Sequence, residues 1–164
     1  MSIRHAIPAD LPELMQLFEG ARQFMAATGN PNQWPPTYPG EERLLADMAL
    51  GHSYVLEEEG RILASFYFAV EKDPTYQVIT EGQWKSDAPY AVIHRIAVSD
   101  HRKGVAAQCV QWCAQQHASL RIDTHHDNTV MQRFLKKQGF LPAGIIFLPN
   151  GAPRIAYERF PGIQ

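Results

Sequence analysis

The residues best suited to chemistry fall in three places. The first is residues 96–107: Ile96, Ala97 and Val98, then the basic turn Ser99, Asp100, His101, Arg102, Lys103 and Gly104, then Val105, Ala106 and Ala107. A strand feeding a tight basic turn and a helix builds an anion site. The N–H groups of the first helical turn have no intrahelical partner, and the helix dipole adds about half a positive charge there. Gly104 lets a ligand approach the backbone, Ala106 and Ala107 keep the turn narrow, and Arg102 and Lys103 add long-range attraction. A pyrophosphate is the natural guest. Neither a Gly-x-x-x-x-Gly-Lys-Ser/Thr loop nor a Gly-x-Gly-x-x-Gly fingerprint is present.

The second place is residues 120–128. Strand alternation puts Asp123 and His125 on one face if the strand reaches that far, a carboxylate–imidazole pair suited to proton relay near working pH. The third is His94, set in the apolar run Val92, Ile93, Arg95, Ile96. An imidazole there is expensive unless hydrogen-bonded, so His94 is a base, a substrate contact or a satisfied core histidine. Alternation places it on the face of Ile96 and Val98, with Arg95 opposite, beside a carboxylate. Cys109, Cys113 and His117 recur every fourth residue, but three ligands over two turns of one helix spread too far for a tetrahedral site. His125 and His126 lack a partner motif, and no metal is expected.

These groups need elements to position them. Residues 3–6 read as a strand. A helix follows Pro8, Ala9 and Asp10, with apolar residues at Leu11, Leu14, Met15, Leu17 and Phe18, and stops at Gly29. Residues 30–39 hold four prolines with Trp34 and Tyr38, a stiffened loop. A second helix spans about 41–50. Residues 53–58 and 61–71 form a hairpin around Glu59 and Gly60. Residues 76–85 are ambiguous between a short strand and a loop bearing Trp84. Strands at 91–98 and 120–124 alternate with helices at 104–117 and 128–138, the last ended by Gly139. Residues 140–148 and 154–160 form a second hairpin. The order β-α-α-β-β-β-α-β-α-β-β describes a mixed α/β sandwich around one twisted sheet.

The chain has 164 residues, 15 Lys+Arg against 17 Asp+Glu and a formal net charge of −2, which suits one domain and argues against a dedicated nucleic-acid or anionic-membrane binder. No apolar run approaches the roughly 18 residues that span a bilayer, and the N-terminal residues lack an apolar signal core. Two cysteines one helical turn apart are too few for a disulfide framework, so reduced thiols and a cytoplasmic address are expected.

Together, two segments resemble the GCN5-related N-acetyltransferase (GNAT) superfamily. Residues 101–106, with His101, Arg102, Lys103, Gly104, Val105 and Ala106, look like its acetyl-CoA motif. Asn128 and Met131, followed by Gly139 and Phe140, look like its strand–helix motif. The element order agrees along essentially the whole chain, and pieces such as Asn30 to Trp34 and Asp73 to Tyr76 look like a bacterial subgroup. The resemblance implies a single domain over residues 1–164 with an α+β fold. Its mixed, mostly antiparallel sheet would carry helices on both faces and splay between two central strands, 91–98 and 120–124, beside Val98.

The resemblance also implies an activity: acetyl transfer from acetyl-CoA to a primary amine, small molecule or peptide, in a ternary complex. The main chain of Ile96, Ala97 and Val98 would pair with the pantetheine arm, amides from Arg102 to Ala107 would hold the pyrophosphate, and Asn128 would bond the pantetheine region or a nearby backbone. Asp123 occupies the position of a glutamate general base in relatives that acetylate ribosomal-protein N-termini. His94 and His125 are further catalytic candidates. Trp34, Tyr38, Trp84 and Tyr90 either line the acceptor pocket or plug the core. The tyrosine acid of many members is replaced by Leu135, which keeps open a non-catalytic acyl-CoA sensor, alongside a protein N-terminal or lysine acetyltransferase. Family habit also makes a homodimer an expectation.

Overall fold

The computed structural model describes residues 1–99 and 103–163. One sheet contains β1 (Ser2–His5), β2 (Ser53–Glu58), β3 (Arg61–Val70), β4 (Ala91–Val98), β5 (Leu120–Thr124), β6 (Leu141–Phe147) and β7 (Pro153–Arg159). Their spatial order is β1-β2-β3-β4-β5-β7-β6. Only β4 and β5 run parallel; every other neighbouring pair is antiparallel. The helices are α1 (Leu11–Ala27), α2 (Glu41–Ala49), α3 (Val105–Gln116) and α4 (Thr129–Lys137), with short 3-10 turns at Pro8–Asp10 and Pro74–Tyr76.

Apolar periodicity explains the layers. The run from Ile62 to Ala69 in β3 is buried on both faces, as a central strand must be. On one face Val105, Cys109 and Cys113 of α3 and Leu135 of α4 pack against Phe66, Phe68, Ile93 and Ile122. On the other, Leu14, Leu17 and Phe18 of α1 and Leu44 of α2 cover Val55 and Ala97. Beside them, the segment between β3 and β4 folds over Tyr67, Val92 and Ala156. The mostly antiparallel sheet with helices on both faces is therefore as expected.

Two features of β4 shape the site. Its pairing with β5 is confined to Ala91↔Leu120 and Val92↔Arg121, so the strands part from Ile93 onward, well before Val98. Toward β3, Ser65 faces Ala97 and Tyr67 faces His94, so Phe66 alone opposes both Arg95 and Ile96. This is a β-bulge, and Arg95 sits at its turn with φ +49°. The extra residue flips the alternation. Ile93 and Ile96 both pack toward α3, while His94 faces the opposite side with Val92, not the face of Ile96 and Val98 as simple alternation requires. Arg95 does not point away from His94 either: both side chains meet the Tyr67 ring.

The ambiguous stretch 76–85 resolves into a 3-10 turn, then a single bridge of Thr80 to Ile145 of β6. Close backbone approach demands glycine here. A Cβ on Gly144 would stand 2.5 Å from the Thr80 carbonyl oxygen, and one on Gly82 would overlap the Ala143 carbonyl.

Candidate active site

The parting of β4 and β5 opens into a cavity of about 840 Å³ bounded by the proline-rich loop, the Asp73 turn and the ends of β4, β5 and β7. The His94 imidazole is part of its lining. His94 Nε2 lies 2.8 Å from Asp73 Oδ2. Asp73 opens an Asx turn in which its Oδ1 accepts the Thr75 N–H at 2.9 Å and the Thr75 hydroxyl at 2.6 Å. Burial works against the Asp73 charge, but the bonds from His94 and Thr75 outweigh it and hold the carboxyl at about 2. An ionised carboxylate against Nε2 places the ring proton there. Nδ1 is left as an acceptor with no partner among the described residues.

Asp123 stands across the gap. Its Oδ2 accepts the Tyr76 hydroxyl at 2.7 Å. Burial pushes its pKa up, opposed by the nearby His94 charge and by the Tyr76 bond. Tyr76 is itself fully buried and its ring lies 6.1 Å from that of His94. The expected Asp123–His125 relay is absent. β5 ends at Thr124, and His125 Nδ1 instead accepts the Asp127 N–H at 3.0 Å. Burial, with the Arg154 and His126 charges, lowers the His125 pKa, consistent with a neutral acceptor ring. His125, His126 and Asp127 do form a compact trio of potential metal ligands, but His125 Nδ1 is committed to that backbone bond.

The proline-rich loop is tied down by Gln33. Its side-chain oxygen accepts from Asn30, Thr124 and Asn128, and its backbone oxygen accepts from Arg154. Both side-chain polar atoms of Asn128 have a partner within the chain. Its Oδ1 caps α4 by accepting the Met131 N–H at 2.9 Å, the nearby-backbone role, and its amide donates to Gln33. Trp34 and Tyr38 of the same loop line the cavity, and Trp34 also packs on Phe18. Trp84 and Tyr90 stand outside the lining. They clamp the Arg121 guanidinium, each ring centroid 3.9 Å from it, while Tyr90 accepts the Asp73 N–H and Trp84 donates to the Tyr76 carbonyl. These contacts support the Asp73 turn.

Arg95 holds the bulge. Its Nε and Nη2 reach Asp47 Oδ2 at 3.1 and 2.7 Å, its Nη1 meets the Tyr38 hydroxyl, and its guanidinium lies over Tyr67. The carboxylate partner expected for Arg95 is therefore Asp47.

At the turn after β4, His101 and Arg102 lie outside the described residues. Lys103 and Gly104 are exposed, and Gly104 is the α3 N-cap with φ +87°, a left-handed conformation that glycine adopts without strain. The first-turn amides of Val105, Ala106 and Ala107 have no intrahelical acceptor. Val105 anchors the helix in the core, while Ala106 and Ala107 remain partly exposed. A β4 edge free of β5 from Ile93, running into an open helix N-terminus, fits an extended pantetheine with a terminal diphosphate. Ile96 and Val98 border the α3-side core, and Ala97 is buried under α1. Cys109 and Cys113 are sealed in the core, and burial pushes Cys109 up to about 12 and Cys113 higher still. Leu135 is likewise fully buried. Among the described residues no helix is long and apolar enough to cross a membrane.

The model of the acetyltransferase (GNAT) family matches residues 12–140, and the chain belongs to this family. A search of curated proteins found no match. Among solved structures, an acetyltransferase of the GNAT family from Streptococcus agalactiae 2603 is 32% identical, with a TM-score of 0.88 over 97% of this chain and 94% of that one. A protein from Staphylococcus aureus MU50 shares the fold at 23% identity, with a TM-score of 0.71 over 98% of this chain and 99% of that one. The yncA protein of Salmonella typhimurium, solved with its cofactor acetyl-CoA, shares the fold at 16% identity and a TM-score of 0.60 over 96% and 91%.

Asp73, Tyr76, Gln33 and Arg154 carry much of the site's geometry without having stood out as chemical groups in the sequence. The Asp-Pro-Thr turn signature was the one local signal for Asp73.

Proposed function

We propose that this chain, as one domain over residues 1–164, transfers the acetyl group of acetyl-CoA to a primary amine by direct attack in a ternary complex. The single observation that carries the reading is the His94 imidazole, its Nε2 2.8 Å from Asp73 Oδ2, in the lining of the cavity where β4 leaves β5. The freed edge of Ile96 and Val98 would receive the pantetheine arm, and the amides of Val105, Ala106 and Ala107 the diphosphate.

His94 Nδ1 takes a proton from the incoming ammonium, and the neutral amine attacks the thioester carbonyl carbon. A backbone N–H near Val98 holds the developing oxyanion. The carbon–sulfur bond then breaks, the nitrogen gives its second proton to the leaving thiolate, and the His94 imidazolium returns its proton to solvent. Leu135 offers no acid. Asp73 positions the ring, and Asp123 favours the cationic forms of amine and imidazole across the gap. His125 is left as a wall of the cavity. Trp34 and Tyr38 supply apolar surface for the acceptor, and much of the acceleration comes from holding amine and thioester together.

The buried leucine at the usual tyrosine position favours a second reading, a non-catalytic acyl-CoA sensor. Release of CoA thiol with a panel of amines separates the two. Amine-dependent release supports the transferase; a thermal shift with acetyl-CoA and no release with any amine supports the sensor.

A further inference from the structure

We infer that the acceptor is an amine bearing a carboxylate, which Arg154 binds while the amino group faces Asp123 and His94. This rests on the transferase reading above and adds the acceptor's chemical class.

Arg154 is 6% exposed and lines the cavity. Its Nη1 donates to the Pro153 carbonyl at 2.8 Å and its Nη2 to the Gln33 carbonyl at 2.9 Å. A guanidinium carries five N–H donors in a planar fork, so further donors remain for a ligand. Among the described residues no carboxylate is in ion-pair contact with it. Burial lowers its pKa, and only Asp123 counters this through space. The other buried guanidinium groups of this region are compensated within the protein. Arg95 is neutralised by Asp47 at 2.7 Å. Arg121 lies between two aromatic faces and donates to the Ser86 carbonyl. A buried cation held only by neutral carbonyls is costly, and an anionic ligand removes that cost.

Placement gives the rest. Asp123 pairs with Ala156, and Arg154 lies two residues along β7, so Asp123 and Arg154 are diagonal neighbours on one face, roughly 7 Å apart at Cβ. His94 faces the same side across the gap, close enough for its charge to act on Asp123. A cation-binding end and an anion-binding end at this separation match the two charged ends of a small amino acid. Trp34 and Tyr38 lie on the loop that Arg154 holds through Gln33, placing apolar rings beside the acceptor's side chain. In the transfer, the ammonium loses one proton to His94, nitrogen bonds to the acetyl carbon, the carbon–sulfur bond breaks and the leaving thiolate takes the nitrogen's second proton; the carboxylate takes no part beyond anchoring.

The test compares matched amines with and without the carboxylate: L-phenylalanine against phenethylamine, L-leucine against isoamylamine, and β-alanine against ethylamine. Wild type, R154Q and R154K are each assayed for CoA-thiol release. Taking the ratio of variant to wild type for each amine cancels intrinsic amine reactivity. R154Q should lower kcat/KM about 10- to 100-fold more for the carboxylated member of at least one pair than for its plain amine, with R154K in between. In wild type the carboxylated member should be the better substrate. Equal loss for both members, or wild-type preference for the plain amines, overturns the inference and leaves the transferase reading standing. No release with any amine, despite a thermal shift with acetyl-CoA, overturns the transferase reading and this inference with it. Should R154Q fail to fold, R154K and the wild-type preference decide alone.

Discussion

Replacing His94 by glutamine isolates proton removal from architecture. The glutamine amide can still donate to Asp73 Oδ2, the atom that His94 Nε2 meets at 2.8 Å, so the Asp73 turn and its Thr75 bonds stay in place. What vanishes is the basic Nδ1. A positioned general base is worth roughly 10²- to 10⁴-fold, about 3–5 kcal/mol of barrier, and H94Q should lose that much in kcat at neutral pH. Exchanging the ring's bond to Asp73 for the amide's costs at most about 1 kcal/mol of stability, a fall of no more than about 2–4 °C in Tm for a chain of this length. The deficit should narrow as pH rises toward the ordinary range of a primary amine, near 10, because a deprotonated acceptor no longer needs the base. The assay is CoA-thiol release from pH 6 to 10 with a turned-over amine, with the acetyl-CoA thermal shift as a control for binding. An H94Q rate within about 3-fold of wild type at pH 7, with normal binding, refutes the assignment and returns the base role to Asp123.

Further perturbations probe the groups around it. Asp73 is held at about 2 against an ordinary 3.8, so its ionised form stabilises the fold above about pH 4 and that contribution disappears as pH falls toward 2. D73N should therefore cost about 2 kcal/mol in urea unfolding at pH 7 and almost nothing near pH 2; a pH-independent loss contradicts an Asp73 held ionised by its hydrogen bonds. Asp123 shifts the other way: its buried carboxyl binds its proton more tightly when folded, so stability is lost as pH rises above 3.8 through the folded value. D123N should melt above wild type at pH 7, with the gap closing toward pH 4, and a lower melting point at pH 7 counts against it. G144A drives a Cβ to 2.5 Å from the Thr80 oxygen and breaks the two backbone bonds of the Thr80–Ile145 bridge, so a loss of about 1–3 kcal/mol is expected by chemical denaturation. Unchanged stability would mean that the segment bearing Trp84 is not docked there.

The elements were legible wherever periodicity spoke clearly. The bounds of β4 and β5 are legible directly, and the helices to within a residue or two, because apolar spacing and the terminal Gly139 mark them. The resemblance supplied the gap between the two central strands, though it opens at Ile93 rather than beside Val98. The bulge was invisible. One extra residue in an apolar strand leaves composition unchanged but reverses parity, which is why His94 was placed on the wrong face. His125 was paired with Asp123 because alternation was carried one residue past the end of β5. Asp73 and His94 lie 21 residues apart in sequence, and Gln33 and Arg154 lie 121 apart, so only the fold brings them together. Trp84 and Tyr90 were read as pocket aromatics because sequence cannot tell a ring facing a ligand from one clamping an arginine.

Hydrogen–deuterium exchange with and without acetyl-CoA tests the central claim most directly. The account predicts added protection at the β4 amides from residue 93 to 98 and at residues 105–107 of α3, with little change in β1, β2 and β6. Protection confined to other elements, or no change at β4 and the start of α3 with saturating acetyl-CoA, would contradict it.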